Sequence, residues 1–136
     1  MGQQQILFVI LAVCIIGITV SIGVISLSGH ALSDNRSLVE QDLTMIAGKV
    51  QDFVTLSPEQ GGGGISFYVL SRLPDAMNRL GVSPSNAHGD FFLKKSVNSS
   101  CIQIVGVGNE AGYDKARPLR LLMTVWADST SLTVLN

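Results

Sequence analysis

From Ile6 to Leu27 the chain reads ILFVILAVCIIGITVSIGVISL, and no charged side chain stands before Asp34. Fifteen of these positions are Ile, Leu, Val or Phe, and the interruptions are all small residues. A helix of about 20 apolar residues, rising ~1.5 Å at each, crosses a hydrocarbon core. Each large apolar residue favours insertion by ~0.3–0.6 kcal/mol, which together outweighs the small polar ones. The flanks predict a retained segment. A removable signal has a basic start and a shorter apolar stretch, whereas Met1–Gln5 hold no Lys or Arg. Leu11-Ala12-Val13-Cys14 differs from a lipoprotein box in the bulk of Val13. Ile6 breaks the myristoylation pattern that Met1-Gly2 begins.

Past this run the pattern turns amphipathic. Leu32, Val39, Leu43, Ile46, Val50 and Phe53 recur at spacings of seven, four, three, four and three, one stripe of a helix. Asp34, Arg36, Glu40, Asp42, Lys49 and Asp52 fall largely off it. The spacing predicts a helix running to about Leu56, stopped by Ser57-Pro58 and the glycines beyond. Ser37-Leu38-Val39-Glu40 also fits a capping box, so a break between Gly29 and Arg36 with a restart at Ser37 stays open.

Gly61–Gly64 reads as a flexible connector, and lengthening such a connector costs little. No Gly-Lys-Ser/Thr follows to make it a phosphate loop. Residues 65–73 suit strand and helix equally. Pro74–Leu80 is a short helix with proline in its first turn and Gly81 as its stop. Residues 82–90 are loop by their Ser, Pro, Asn and Gly content. Phe91–Val97, Cys101–Val107, Leu119–Trp126 and Leu132–Leu135 are the expected strands, clearest in the alternation of Leu119, Leu121, Met123 and Val125. Turns are expected at Asn98–Ser100 and Asp128–Ser131, with a solvent loop from Gly108 to Pro118. The expected fold is α+β: a long N-terminal helix, apolar then amphipathic, packed on a small C-terminal antiparallel β-sheet. Its parts are an apolar helix over 1–30, an amphipathic helix over 31–57, a Gly-rich linker over 58–64 and a β-rich part over 65–136.

The chemistry-bearing residues form no familiar constellation. All nine Lys/Arg and all ten Asp/Glu lie in residues 34–136 with near-zero net charge, which argues against nucleic acid. Lys94-Lys95 is the one adjacent basic pair and reads as a solvated strand edge. Cys14 and Cys101 suggest neither a disulfide framework nor a metal site. Gly106-Val107-Gly108 with Gly112 misses the dinucleotide-loop spacing and reads as a hairpin turn. His88-Gly89-Asp90 offers two ligands in a loop, too few for a metal, and His30 marks the end of the apolar helix. No nucleophile has a recognisable base. The expectation is a non-enzyme with no cofactor.

An uncharged apolar half-helix, an amphipathic half-helix, a glycine-rich connector and a small antiparallel sheet together resemble a type IV pilin or pilin-like subunit. The resemblance covers the whole chain as architecture. It implies a membrane-stored monomer that packs with its own copies into a helical filament at the cell surface, with the help of assembly machinery. That family begins its mature chain with N-methylated Phe or Met and carries glutamate at the fifth position. Met1 matches the first feature, and Gln5 stands where the glutamate would be. Gly17, Ser21 and Gly23, with Thr19, interrupt the bulky residues where close helix approach would need them. A pilin-like component of a secretion machine and a membrane-tethered binding module remain the other readings. Asn35-Arg36-Ser37 and Asn98-Ser99-Ser100 match a glycosylation pattern.

Overall fold

Helix α1 (Gly2–Thr55) runs unbroken through both the apolar and the amphipathic stretches. The computed structural model describes residues 2–64, 66–94 and 99–136. No restart occurs at Ser37, which lies within the helix. Glu40 bonds Arg36 one turn back at 2.8 Å instead of capping a new helix start. The break left open by the sequence is therefore absent.

After α1 come a short 3₁₀ turn (Pro58–Gln60), helices α2 (Phe67–Arg72) and α3 (Ala76–Arg79), and a five-stranded antiparallel meander. Its strands are β1 (Ser85–Asn86), β2 (Gly89–Lys94), β3 (Cys101–Ala111), β4 (Pro118–Trp126) and β5 (Thr130–Val134), paired in chain order. The α+β architecture is as the sequence implies. Some boundaries differ. Residues 67–72 resolve as helix, and the supposed loop at 82–90 contains β1 and the start of β2. The long solvent loop is shortened by β3, which continues to Ala111. The end of the first expected strand (Lys95–Val97), and Asn98 of the turn at Asn98–Ser100, lie outside the described residues.

The core sits between α1 and one face of the sheet. Val39, Leu43, Ile46, Ala47, Val50 and Val54 of the helix are buried against Phe91, Ile102, Ile104, Leu119, Leu121, Met123 and Val125. Four of the six stripe positions read from the sequence are fully buried here, and Leu32 and Phe53 flank them half-buried. Burying each such side chain stabilises by ~1.5–3 kcal/mol. Register explains which strand residues take part. Ile102, Ile104 and Gly106 face Val125, Met123 and Leu121 across the ladder, so one row of alternate positions meets the helix.

Gly106 and Gly108 do not form the expected turn; they lie inside β3. A Cβ on Gly106 would stand 2.9 Å from Val39 Cγ1 and 3.3 Å from Leu43 Cδ1. One on Gly108 would overlap the Asn35 amide oxygen. These glycines let the helix backbone approach the sheet.

Helix and strands run almost side by side. Asn35 meets the backbone of Glu110 at one end of the sheet, and Gln51 Nε2 donates to the Trp126 carbonyl at the other, at 2.9 Å. The helix rises ~24 Å from residue 35 to 51, and β4 extends ~23 Å from Leu119 to Trp126. The β3–β4 loop therefore lies at the end nearest the apolar half of α1, and the β4–β5 turn at the far end.

The glycine run is a built cap. Gly63 N–H donates to the Phe53 carbonyl at 2.9 Å and Gly64 N–H to the Leu56 carbonyl at 3.1 Å, closing carbonyls left open by the helix end. Gly61 and Gly64 take φ of +84° and +59°, which glycine adopts without penalty. A Cβ on Gly62 would come 2.3 Å from Leu56 Cβ. The connector has its own contacts, contrary to a freely extensible linker.

Two substitutions test this packing in a fragment of residues 31–136, which holds the whole core. Gly48 lies in α1 with nothing within 4 Å of an added Cβ. Gly48→Ala should raise stability by up to ~1 kcal/mol, the helix-propensity difference. Gly106→Ala should lower it by ~1–3 kcal/mol through overpacking. Urea denaturation reads both, and equal signs would refute the close approach. Inserting two glycines between Gly62 and Gly63 should cost more than the sub-kcal loop-length term of ~0.6 kcal/mol, because it parts the cap from the carbonyls it closes.

Candidate functional site: the uncovered half of the helix

Every residue from Gly2 to His30 is exposed. The fifteen large apolar side chains between Ile6 and Leu27 retain 54–72 % of their free exposure, on all sides of the helix. Alone among the described helices, α1 is long and apolar enough to cross a bilayer, and none of its most apolar window is buried by the rest of the chain. A core helix of a water-soluble domain has one covered stripe, whereas a helix apolar all round needs an apolar surrounding.

Three hydroxyls within this half bond back to the helix itself. Thr19 Oγ1 donates to the Ile15 carbonyl and Ser21 Oγ to the Gly17 carbonyl, both at 2.8 Å. Ser28 Oγ reaches the Val24 and Ile25 carbonyls at 3.0 Å. Hydroxyls bonded in this way need no water, which suits a non-aqueous surrounding.

The positions singled out from the sequence fall in three places. Gly17 and Ser21, one turn apart, line a shallow groove with Cys14, Ile18, Ile22 and Ile25. Gly23 lies outside that groove, ~120° round the helix from Gly17. Gln5 is exposed in the first turns of α1, and Met1 lies outside the described residues. Cys14 is exposed and forms no disulfide with Cys101.

A second polar cluster joins α1 to the β1–β2 hairpin. His88 Nδ1 lies 2.6 Å from Asp42 Oδ2, and Asn86 Nδ2 donates to the same oxygen at 2.9 Å. Asn35, buried in the helix, donates from Nδ2 to the His88 carbonyl at 3.0 Å. Its Oδ1 accepts from Glu110 N–H at 3.4 Å. The amide nitrogen that glycosylation would need is thus engaged and buried, so the Asn35 pattern is not an acceptor site here; Asn98 lies outside the described residues. No group of three or more His, Cys, Asp or Glu is placed to hold a metal among the described residues. His88 is one of two ligands at most, and its partner is a carboxylate of the helix.

At the end of the sheet beside the apolar half, Arg36 Nη1 donates to the Tyr113 hydroxyl at 2.6 Å, with the guanidinium 5.9 Å from the ring centroid. The Glu40 carboxylate, and then the Tyr113 hydroxyl, raise the Arg36 pKa above its ordinary value. In the same loop the backbone N–H groups of Arg117 and Ala116 bond Asp114 Oδ1 at 3.1 Å. They hold its pKa below the usual carboxylate range. The sequence did not signal the pairing of Arg36 with Tyr113, because the two are 77 positions apart.

Asn35→Ala should destabilise the 31–136 fragment by ~1–3 kcal/mol, the cost of leaving buried partners unpaired. Loss of protection at the Glu110 amide in hydrogen exchange would locate the effect at the seam. An unchanged midpoint would mean that the seam adds nothing to the apolar contact.

Comparison with protein-family models, with curated proteins and with solved structures returned no match, so the uncovered helix and its sheet carry the functional reading.

Proposed function

We propose that this chain is a structural subunit of a type IV pilus-like filament. Residues 6–27 hold it in a membrane before assembly and pack against copies of the same helix afterwards. The observation that carries the reading is the uncovered apolar half of α1, continuous with a half whose apolar stripe is covered by its own sheet. Fifteen large apolar side chains at ~1.5–3 kcal/mol each exceed the whole stability of an ordinary domain, ~5–15 kcal/mol. The chain therefore gains most from leaving water, first into lipid and then into a protein core. The site residues suit that second step. Gly17 and Ser21 hollow one face, while Gly23 thins another. Heterologous packing uses two different faces of each subunit and stays open to growth. In this reading the protein is not an enzyme, and its partners are its own copies, a membrane and assembly machinery.

A tethered module needs the same apolar helix but no close fit between helices. Gly17→Leu with Gly23→Leu keeps the segment apolar, so membrane insertion should persist. In a packed core the added bulk costs ~1–3 kcal/mol per site and recurs in every subunit. The double variant is expected in the membrane fraction at normal level, with few or no sheared surface filaments by electron microscopy. Absence of filaments from the unmodified protein under any assembly-competent condition would replace the filament with a tether.

A further inference from the structure

We propose that the β3–β4 loop, residues 112–117, is a bilayer contact in the membrane-stored protein, with Tyr113 in the headgroup layer and Lys115 and Arg117 on anionic lipid phosphates. The inference rests on the membrane placement of residues 6–27 and goes beyond it by assigning a surface of the sheet domain.

Depth comes first. α1 is continuous from the apolar run into the sheet contact, so the domain stands at a fixed height above the span. Gly106 lies under Val39 and Gly108 under Asn35, so β3 descends toward the apolar half of α1 and continues past Asn35 to Ala111. The loop that follows lies below Asn35, within the ~12 Å of helical rise that separates Asn35 from Leu27. From there Tyr113 reaches back to Arg36, whose Nε bonds Glu40. Headgroup layers are about 5–8 Å deep on each side of the hydrocarbon. The loop thus reaches the outer boundary of the layer where tyrosine concentrates in membrane proteins.

The loop is also built to present these groups. Gly112 N–H donates to the Arg117 carbonyl at 2.7 Å, and Lys115 takes φ of +55°, which together close a tight turn. Tyr113 is 56 % exposed despite its bond to Arg36. Of the neighbouring carboxylates, Glu40 is held by Arg36 and Asp114 accepts from the loop's own amides, while Asp34 on α1 and Glu110 near the end of β3 stay exposed. Arg117 also approaches Asp114 through Nε at 3.5 Å, yet its side chain is 73 % exposed. Lysine and arginine this close to an anionic surface gain attraction from it.

The chain's single tryptophan, Trp126, provides an internal reference. It ends β4 at the far end of the sheet, ~23 Å from Leu119. The full chain is reconstituted in vesicles of equal parts phosphatidylcholine and phosphatidylglycerol, doped with phosphatidylcholine spin-labelled on its headgroup. Tyr113→Trp in a Trp126→Phe background places the sole tryptophan in the loop. We expect strongly quenched emission at position 113 and no such quenching of Trp126, half-buried at the far end, in the unmodified chain. Adding Lys115→Glu and Arg117→Glu should relieve the quenching in these vesicles. Vesicle flotation separates the two premises. Protein that floats with vesicles but shows equal, weak quenching at both positions overturns the loop contact and leaves the membrane anchor standing. Protein that does not float overturns both. Quenching at position 113 that survives the double charge reversal overturns the phosphate pairing.

Discussion

Val39 and Leu43 lie directly over Gly106, and Asn35 lies over Gly108, with no side chain from the strand between helix and sheet. Everything else in the architecture follows from this close approach. It fixes the height of the sheet along α1, because a shift by one residue would drive a Cβ-bearing position under the helix. It also fixes the direction: β3 and β4 run alongside the helix, with one loop end toward the apolar half and one turn end away from it. The polar seam of Asn35, Asp42, Asn86 and His88 then closes the margin that apolar packing leaves open. A buried amide with both ends bonded discriminates against sliding more sharply than aliphatic contact does, since a misplaced partner leaves a desolvated polar group.

One rigid helix thus serves two surroundings. Between residues 35 and 54 its buried face is supplied by the protein itself, and the opposite face meets water. Between residues 2 and 30 no face is supplied. The hydroxyls of Thr19, Ser21 and Ser28 turn back on helix carbonyls, so these three ask nothing of the solvent. In the proposed reading the uncovered half sets where the protein resides, while the sheet domain sets what is carried on its end.

Periodic features were legible in the sequence, because repetition survives without tertiary knowledge. The apolar run, the stripe through Val39, Leu43, Ile46 and Val50, and the alternation from Leu119 to Val125 all take the places expected of them. Glycine was not legible. Gly106, though inside the expected strand Cys101–Val107, was read with Gly108 as part of a turn, since a residue without a side chain looks the same in a turn and beneath a helix. Gly61–Gly64 was expected as slack, although the same absence of side chains allows the hydrogen-bonded cap. The seam was hidden for a different reason. Asn35 finds its partners 53 and 75 positions away, and its local pattern pointed to a sugar instead. Residues 67–72 were ambiguous because a short apolar run carries too few periods to separate helix from strand.

The placement of the sheet also constrains how copies can come together in the filament reading. Because the domain occupies one side of α1 from residue 35 onward, neighbouring helices can approach that part only from the opposite side. Along residues 2–30 they can approach from any side. Packed copies would therefore converge through their apolar halves and hold their sheets outside, a core of helices within a shell of domains. In that reading the free face of the second half would meet such neighbours. Leu38 and Met45 remain exposed there, seven residues apart and so nearly in line along the helix. They extend apolar surface past Asp34, the first charge in the chain. Single exposed apolar residues are ordinary on a water-facing surface; in the filament reading these two would add to the area a neighbouring copy covers.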